Sequence, residues 1–362
     1  MKNHSKQNPW KGRPEQTVGV DLGDRFSHYC VLNRDGEVME EGRIRSSEAG
    51  FRQHWEGEAR QRVVLETGTH SPWISRLLQS LGHEVIVANA RKLRAISQNE
   101  NKNDREDAEM LARLGHSDPK LLRPIRHRSV ERQRDLNLLR ARDTLVRART
   151  MLINAARGLV KSAGGRLPAA SSESFAAKVE AAVPAELAAA TQPLLQQITA
   201  LTAQIRGLDR SIEKLSERYP EIHILRTVPG VGPVIAAAYV LTLDGVDAVR
   251  HSRSVGAFLG LRPRQSQSGE CDPELNITKT GNIYLRRLLV QAAHYVLGRF
   301  GPDSALRRWG RKLAAGGQRA KKRAVVAVAR KLAVLLHHLW RTGQNYRPFP
   351  DPISTVQSAA AS

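Results

Sequence analysis

Two short apolar runs in the first third of the chain each end in a carboxylate. Val18-Gly-Val is followed by Asp21, and Val63-Val-Leu is followed by Glu66. Runs of three or four β-forming residues are typical of strands covered on both faces. Open α/β sheets place their sites at the carboxyl ends of such strands. The pattern therefore predicts an α/β domain with two acids at one edge of its sheet.

Two further acids open a helical segment, Lys102-Asn-Asp104-Arg-Glu-Asp107-Ala. Residues three apart lie on one face of a helix, so Asp104 and Asp107 can join the two strand-end acids around a hard divalent cation. Each acid alone is more typical of a turn, a cap or a surface charge. Together they predict a Mg²⁺ site, with Mn²⁺ as the alternative ion.

The order of elements narrows the fold of this first part. Strand patterns occur at Thr17 to Leu22, His28 to Asn33, Glu37 to Ile44, Arg62 to Glu66 and Glu84 to Ala88, and helical patterns occur near 47–60, 72–81 and 103–115. Three strands joined by short turns, then helices alternating with strands, predict an α/β core that is RuvC-like (RNase H-like). Such a core carries its metal acids on the first strand, a later strand and a late helix.

The charge of the chain points to nucleic acid. The 362 residues carry a formal charge of +22, and the stretch from Asn276 to Arg347 holds 16 Lys or Arg against one acid, Asp303. Neutralising phosphates releases counterions, which makes such a surface a nucleic-acid footprint. No run approaches the roughly 18–20 apolar residues that span a bilayer, and the first 16 residues lack a signal-peptide core. We expect a soluble intracellular protein with no membrane partner.

The two cysteines, Cys30 and Cys271, lie far apart and without metal-ligand spacing. This pattern is typical of a reducing compartment and argues against structural zinc.

Heptad spacing in the middle of the chain predicts two long helices. Apolar doublets recur every seven residues at Leu138-Leu139, Leu145-Val146, Leu152-Ile153 and Leu159-Val160. The second series is Leu194, Ile198, Leu201, Ile205, Leu208, Ile212 and Leu215. Such seams favour a left-handed coiled-coil hairpin folded at the link from Ala163 to Pro184. An intramolecular hairpin and an intermolecular coiled coil both fit.

The last part is predicted to be a basic, mainly helical domain that begins with a helix-hairpin-helix-like motif. In Thr227-Val-Pro-Gly230-Val-Gly232-Pro, glycines would let backbone N–H groups approach a phosphate at a helix start. A plain Pro-Gly turn between helices is the alternative.

A serine lies among cations further along. The segment Arg262-Pro-Arg264-Gln-Ser266-Gln-Ser268-Gly suits attack on a phosphodiester, because the cations would stabilise the negative charge of the transition state. Ser268 is the candidate nucleophile and Ser266 its neighbouring alternative, while Ser-Gly is also a common turn pair. The predicted nucleic-acid contacts are Gly230, Gly232, Arg262, Arg264, Lys279, Arg286, Arg287, Lys321, Lys322 and Arg323.

Six motifs in one order resemble a known family. They are the Val-Gly-Val-Asp21 strand, Leu-Glu66-Thr-Gly, the Asp104/Asp107 segment, the Pro-Gly-Val-Gly hairpin, Gly-Leu-Arg-Pro with Ser268-Gly, and Thr-Lys279-Thr-Gly-Asn-Ile-Tyr-Leu-Arg-Arg. Over residues 17–345 the chain resembles the DEDD transposases of the insertion sequence one-ten family, including the eleven-eleven subgroup.

The resemblance implies a recombinase of the bacterial or archaeal cytoplasm, acting at the nucleoid. It implies that Asp21, Glu66, Asp104 and Asp107 bind Mg²⁺ and that Ser268 forms a covalent phosphoserine link to DNA. It also implies that a noncoding bridge RNA selects donor and target DNA. The helical hairpin adds the hypothesis of a dimer or tetramer in which protomers share a site.

The expected domains are a tail (1–16), a RuvC-like metal-binding domain (17–125), a helical hairpin (126–220), a serine-bearing transposase domain (221–347) and a second tail (348–362). Two other functions fit the residues. One is a hydrolytic RuvC-like nuclease that uses the acids with water, and the other is a nucleic-acid scaffold with vestigial acids.

Overall fold

The computed structural model describes residues 14–89, 103–265 and 275–349. The chain forms two compact units, one up to Arg128 and one from Ser129 onward.

The first unit is built on a five-stranded mixed sheet. Its strands are β1 (Thr17–Asp21), β2 (Phe26–Leu32), β3 (Val38–Arg45), β4 (Arg62–Glu66) and β5 (Glu84–Ala88). They lie in the order β3-β2-β1-β4-β5. Strand β1 runs antiparallel to β2 and parallel to β4, and β4 runs parallel to β5. The central strand β1 is therefore hydrogen-bonded on both sides.

Three helices cover the two faces of this sheet: α1 (Glu48–Trp55), α2 (Ser71–Ser80) and α3 (Asp104–Ser117). Side chains of α1 and α2 pack with Val18 and Val20 on one face. The other face packs against α3, where Ala108 and Ala112 join Cys30 in a small core. Burial on both faces explains why β1 and β4 are continuous apolar runs.

The predicted strands and helices of this unit are present, but helix α1 is shorter than the predicted 47–60. It ends at Trp55 because Glu56 is extended and Gly57 has a positive φ. Strand β4 and strand β5 have the predicted bounds, and β1 ends one residue earlier, at Asp21. Strand β2 begins two residues earlier than predicted, at Phe26, whose exposed ring lies under the guanidinium of Arg43.

The second unit is mainly helical. Its helices are α4 (Val130–Ser162), α5 (Phe175–Val179), α6 (Ala188–Glu213), α7 (Leu215–Arg218), α8 (Glu221–Arg226), α9 (Pro233–Leu243), α10 (Val255–Phe258), α11 (Ile283–Leu297), α12 (Ala305–Ala314) and α13 (Gln318–Thr342). Short 3₁₀ turns lie at Glu180–Ala182, Ala185–Leu187, Val246–Ala248 and Ser252–Ser254. Helix α9 carries no charged residue and is buried from Ala236 to Leu243, so the main core forms around it.

The two long helices α4 and α6 pack together, but the predicted apolar seam of α6 is wrong in part. The buried series is Leu195, Ile198, Thr202, Ile205 and Ile212, whereas Leu194, Leu201 and Leu208 are only half-buried. The physical reason is a pair of polar layers. Arg149 of α4 donates to Thr202 Oγ1 (3.2 Å), and Arg142 pairs with Asp209.

Candidate active site

The register of the sheet brings Asp21 and Glu66 together. Strand β1 pairs in parallel with β4 from Thr17↔Arg62 to Val20↔Leu65, so Asp21 and Glu66 are the next residues in line. Both close their strands with half-buried side chains. Residues in register on neighbouring strands share a face, and the two carboxylates therefore point to the same side of the sheet.

That side is the one covered by α3. Gly19 precedes Asp21 by two residues and lies on the same face. Ala108 and Ala112 of α3 pack directly against Gly19. At the far end of α3, Gly115 packs against Val64. Helix α3 thus runs opposite to β1, with its first turn toward the carboxyl end of the strand. Asp104 and Asp107 occupy that turn.

The four carboxylates interact electrostatically. Burial, followed by the charges of Asp104, Asp107 and Glu66, raises the pKa of Asp21 to about 6 from its usual value of 3.8. We call these four residues the acidic row. Asp21 is its central member, since the other three acids all act on its carboxyl group.

The donors of the acidic row fit a divalent cation in their chemistry. All four offer carboxylate oxygens, the ligands that Mg²⁺ prefers, and a cation would relieve the repulsion that raises the pKa of Asp21. Within the described residues, no three acidic, His or Cys side chains are gathered tightly enough to enclose one ion. The two strand-end acids and the two acids of the first turn of α3 therefore interact without forming a closed cage.

Asp21→Asn is expected to raise the free energy of unfolding at pH 7. A carboxyl whose pKa is higher in the folded state favours folding below its unfolded value of 3.8, and that contribution is lost as the pH rises through about 6. Asparagine has no charge to bury. Between pH 4 and pH 7 the variant should therefore retain about 1 kcal/mol of unfolding free energy that the wild type loses, after allowance for solvent screening. Urea unfolding of both proteins at pH 4 and pH 7, without divalent ions, measures the difference. An identical change in both proteins would contradict this assignment.

Two histidines that the sequence did not single out lie at the same edge of the sheet. His28 of β2 is paired with Asp21, and its Nδ1 is 3.4 Å from Asp104 Oδ2. His70 Nε2 is 3.4 Å from Asp24 Oδ1, while its Nδ1 accepts from the indole N–H of Trp73 (3.1 Å). Spacing along the chain gives no signal for either histidine. The proximity of His28 to the acids follows only from the register of β2 with β1.

The base of the serine loop is described, although Ser266 and Ser268 lie outside the described residues. Arg264 N donates to the carbonyl of Asn276 (3.0 Å), and Thr278 N donates to that of Arg262 (2.9 Å). The chain therefore leaves and returns at one place. Arg262 and Arg264 are exposed there.

Below that base, two chain segments cross at Gly260 and Gly281. Both glycines have positive φ, and a Cβ on either would overlap a backbone carbonyl, of Thr280 and Phe258 respectively. Arg286 fixes the crossing, because its Nη1 donates to the carbonyls of Leu259 and Thr280 (2.9 Å each).

The remaining predicted contacts are spread over the second unit. Arg287 pairs with Asp143 of α4, and Lys279 is in a left-handed conformation beside the crossing. Gly230 lies against Tyr295 in the hairpin between α8 and α9, and Gly232 is the N-cap residue directly before α9. Lys321, Lys322 and Arg323 are exposed in the first turns of α13. The nucleic-acid role of each stays a prediction.

Comparison with known proteins bears on the family. Residues 18–164 match a DEDD transposase model of the insertion sequence one-ten (IS110) type. Residues 222–309 match a model described as transposase IS116/IS110/IS902 family. The two matches are consecutive and together cover about two thirds of the chain. The chain belongs to the IS110 family of transposases.

Individual relatives of this chain come from several bacteria. The transposase for insertion sequence element IS1328 of Yersinia enterocolitica is 28% identical over 81% of this chain and 87% of its own. A probable family 20 transposase of Pseudomonas aeruginosa is 33% identical over 42% of this chain and 45% of its own. The transposase for IS1111A of Coxiella burnetii is 29% identical over 38% of each chain. The last two alignments thus span less than half of those relatives.

Among the helices of the described ranges, none has the length and apolar character that crossing a membrane requires.

Proposed function

We propose that this protein is a transposase that cuts and rejoins DNA at the ends of an insertion sequence. The observation that carries the proposal is the acidic row at the edge of a mixed sheet, on a chain with a formal charge of +22. The strands lie in the order β3-β2-β1-β4-β5, and of the two neighbours of β1 only β2 runs antiparallel to it. This arrangement supports an RNase H-like core of the RuvC-like kind. Carboxylates hold a cation there, and the basic surface holds phosphates.

Ser268 is the proposed nucleophile. Its Oγ bonds to the phosphorus of the scissile phosphodiester while the bond from phosphorus to the leaving sugar oxygen breaks. The serine proton passes to solvent, and the sugar oxygen takes up a proton to become a hydroxyl. Because one phosphodiester is exchanged for another, a second sugar hydroxyl can reverse the step on a different strand. Rejoining then needs no nucleotide cofactor.

The chain's own groups have distinct parts in this step. The acidic row would hold Mg²⁺, or Mn²⁺ as the alternative, which when bound supplies Lewis-acid stabilisation of the phosphate charge. Arg262 and Arg264, exposed at the base of the serine loop, would bind the phosphate oxygens through charge-assisted hydrogen bonds. The Gly260–Gly281 crossing with Arg286 would hold that base rigid.

We further propose that a noncoding bridge RNA selects donor and target DNA, and that the protein acts as a dimer or tetramer. The resemblance in motifs supports the RNA, as does the concentration of cations between Asn276 and Arg347. The exposed Lys321, Lys322 and Arg323 on α13 are candidate contacts to either nucleic acid.

Trapping protein on DNA tests the proposed chemistry. Wild-type protein, incubated with its DNA ends, RNA and Mg²⁺, should yield a denaturant-resistant protein–DNA adduct. Ser268→Ala should abolish the adduct, and the neighbouring Ser266→Ala should retain it. Clean strand cutting by Ser268→Ala would instead establish hydrolysis by water, which is the nuclease alternative.

A further inference from the structure

His28 faces the acidic row by the register of the sheet. It is paired directly with Asp21 across the antiparallel β1–β2 ladder, so both side chains lie on the α3 face. Two residues further along β2, Cys30 is paired with Gly19 and packs with Ala108. His28 is therefore the residue of β2 that continues the row formed by Asp21 and Glu66.

Asp104 is the member of the row that the imidazole of His28 contacts. Its side chain is 68% exposed, against 25% for His28, and its Oδ2 lies 3.4 Å from His28 Nδ1. The helix cap does not restrain it, because the cap is made by Asn103, whose side chain accepts from Arg105 N. An exposed aspartate on a first helical turn has free rotamers unless a neighbour selects one.

The same turn is tied to the sheet at a second point. Arg105 Nη2 lies 3.5 Å from Oε2 of Glu41, a residue of β3 that is paired with Cys30 of β2. This exposed ion pair orients the turn, and such pairs add little energy. The contact to the Asp104 carboxylate itself comes from the imidazole of His28.

We propose that His28 is a positioning residue that holds the Asp104 carboxylate in line with Asp21 and Glu66. The inference rests on the proposed function, since it concerns the same site. Because the imidazole contacts the Asp104 carboxylate, its effect is on how well the row accepts a cation. Groups that orient a ligand of this kind are typically worth about 10- to 100-fold in metal affinity.

Direct Mn²⁺ binding to the full-length protein, followed by electron paramagnetic resonance of the free ion, tests this. His28→Ala should weaken Mn²⁺ binding about tenfold. The Mn²⁺ concentration for half-maximal strand cleavage should rise by the same factor, with the rate at saturating Mn²⁺ nearly unchanged. His28→Asn places an amide nitrogen where Nδ1 lies, so it should restore binding to within about threefold of wild type.

A matched control is His70→Ala, which removes an imidazole at the same distance from Asp24 without touching the acidic row. It should bind Mn²⁺ as the wild type does. Wild-type binding by His28→Ala would overturn the inference. Failure of His28→Asn to restore binding would also overturn it, since His28 would then act as a ligand itself.

The Asp21→Asn protein separates this inference from the proposed function. If wild type binds Mn²⁺ and Asp21→Asn does not, the site is established and the His28 variants decide the positioning role alone. If Asp21→Asn binds as well as wild type, the proposed function fails, and the role of His28 fails with it.

Discussion

Asp21→Asn is expected to slow DNA strand cleavage about a thousandfold. The substitution keeps the size of the side chain and removes the central charge of the acidic row, to which Asp104, Asp107 and Glu66 all couple. Loss of about 4 kcal/mol of transition-state stabilisation from a poorly held cation corresponds to that factor. Single-turnover cleavage of end DNA at saturating Mg²⁺ and with the proposed bridge RNA measures it.

The same variant carries its own control for folding. Because burial and repulsion raise the pKa of Asp21, Asp21→Asn should be more stable than the wild type at pH 7 while it is far less active. Asp35→Asn makes the same charge change in the exposed β2–β3 turn, at the opposite end of β2 from His28, and should cleave at the wild-type rate. Cleavage by Asp21→Asn within tenfold of wild type would exclude a role for the acidic row.

Local sequence predicted the positions of the acids well. The apolar runs before Asp21 and Glu66 end where the strands end, because a charged side chain is tolerated at the sheet edge and not between two covered faces. The capped start of α3 follows from Asn103 and the acids of its first turn in the same way. Such signals depend on a few neighbouring residues, so they can be recognised without knowledge of the tertiary structure.

Contacts between distant segments could not be predicted. The place of His28 in the row depends on the pairing of β2 with β1, and nothing in its neighbours indicates that register. The crossing of Gly260 and Gly281 depends on backbone contact between segments 20 residues apart. Both features need the assembled structure, because their physical cause lies in another part of the chain.

In the pair of long helices, buried polar residues make the observed seam differ from the one that apolar heptad spacing predicts. Apolar spacing favoured Leu201 for the seam, whereas Thr202 is buried and accepts from Arg149. Arg149 is itself buried, and its Nε has no hydrogen-bond partner among the described residues. Burying a cation this way costs stability, and in coiled coils buried polar layers of this kind specify the register.

Gly19→Ala is expected to destabilise the first unit by about 3 kcal/mol or more. A Cβ at this position would overlap the carbonyl oxygen of Ala108 and the amide nitrogen of Ala112, and would lie 3.0 Å from the Cα of Ala112. These are backbone atoms of α3, so no side chain can rotate away. Overpacking of a rigid contact costs about 1–3 kcal/mol, with larger values where backbone must move. Thermal and urea unfolding measure the loss.

The functional consequence follows from the position of α3. If the helix is displaced from Gly19, Asp104 and Asp107 on its first turn move away from Asp21, so Gly19→Ala should weaken Mn²⁺ binding at temperatures where the protein is still folded. Gly68→Ala is the matched control, because a Cβ there meets no atom within 4 Å; it should unfold and bind Mn²⁺ as the wild type does. Equal stability of Gly19→Ala and Gly68→Ala would contradict the close contact between α3 and β1. Because that contact requires glycine, one residue without a side chain determines how far the two helical acids lie from the two strand acids.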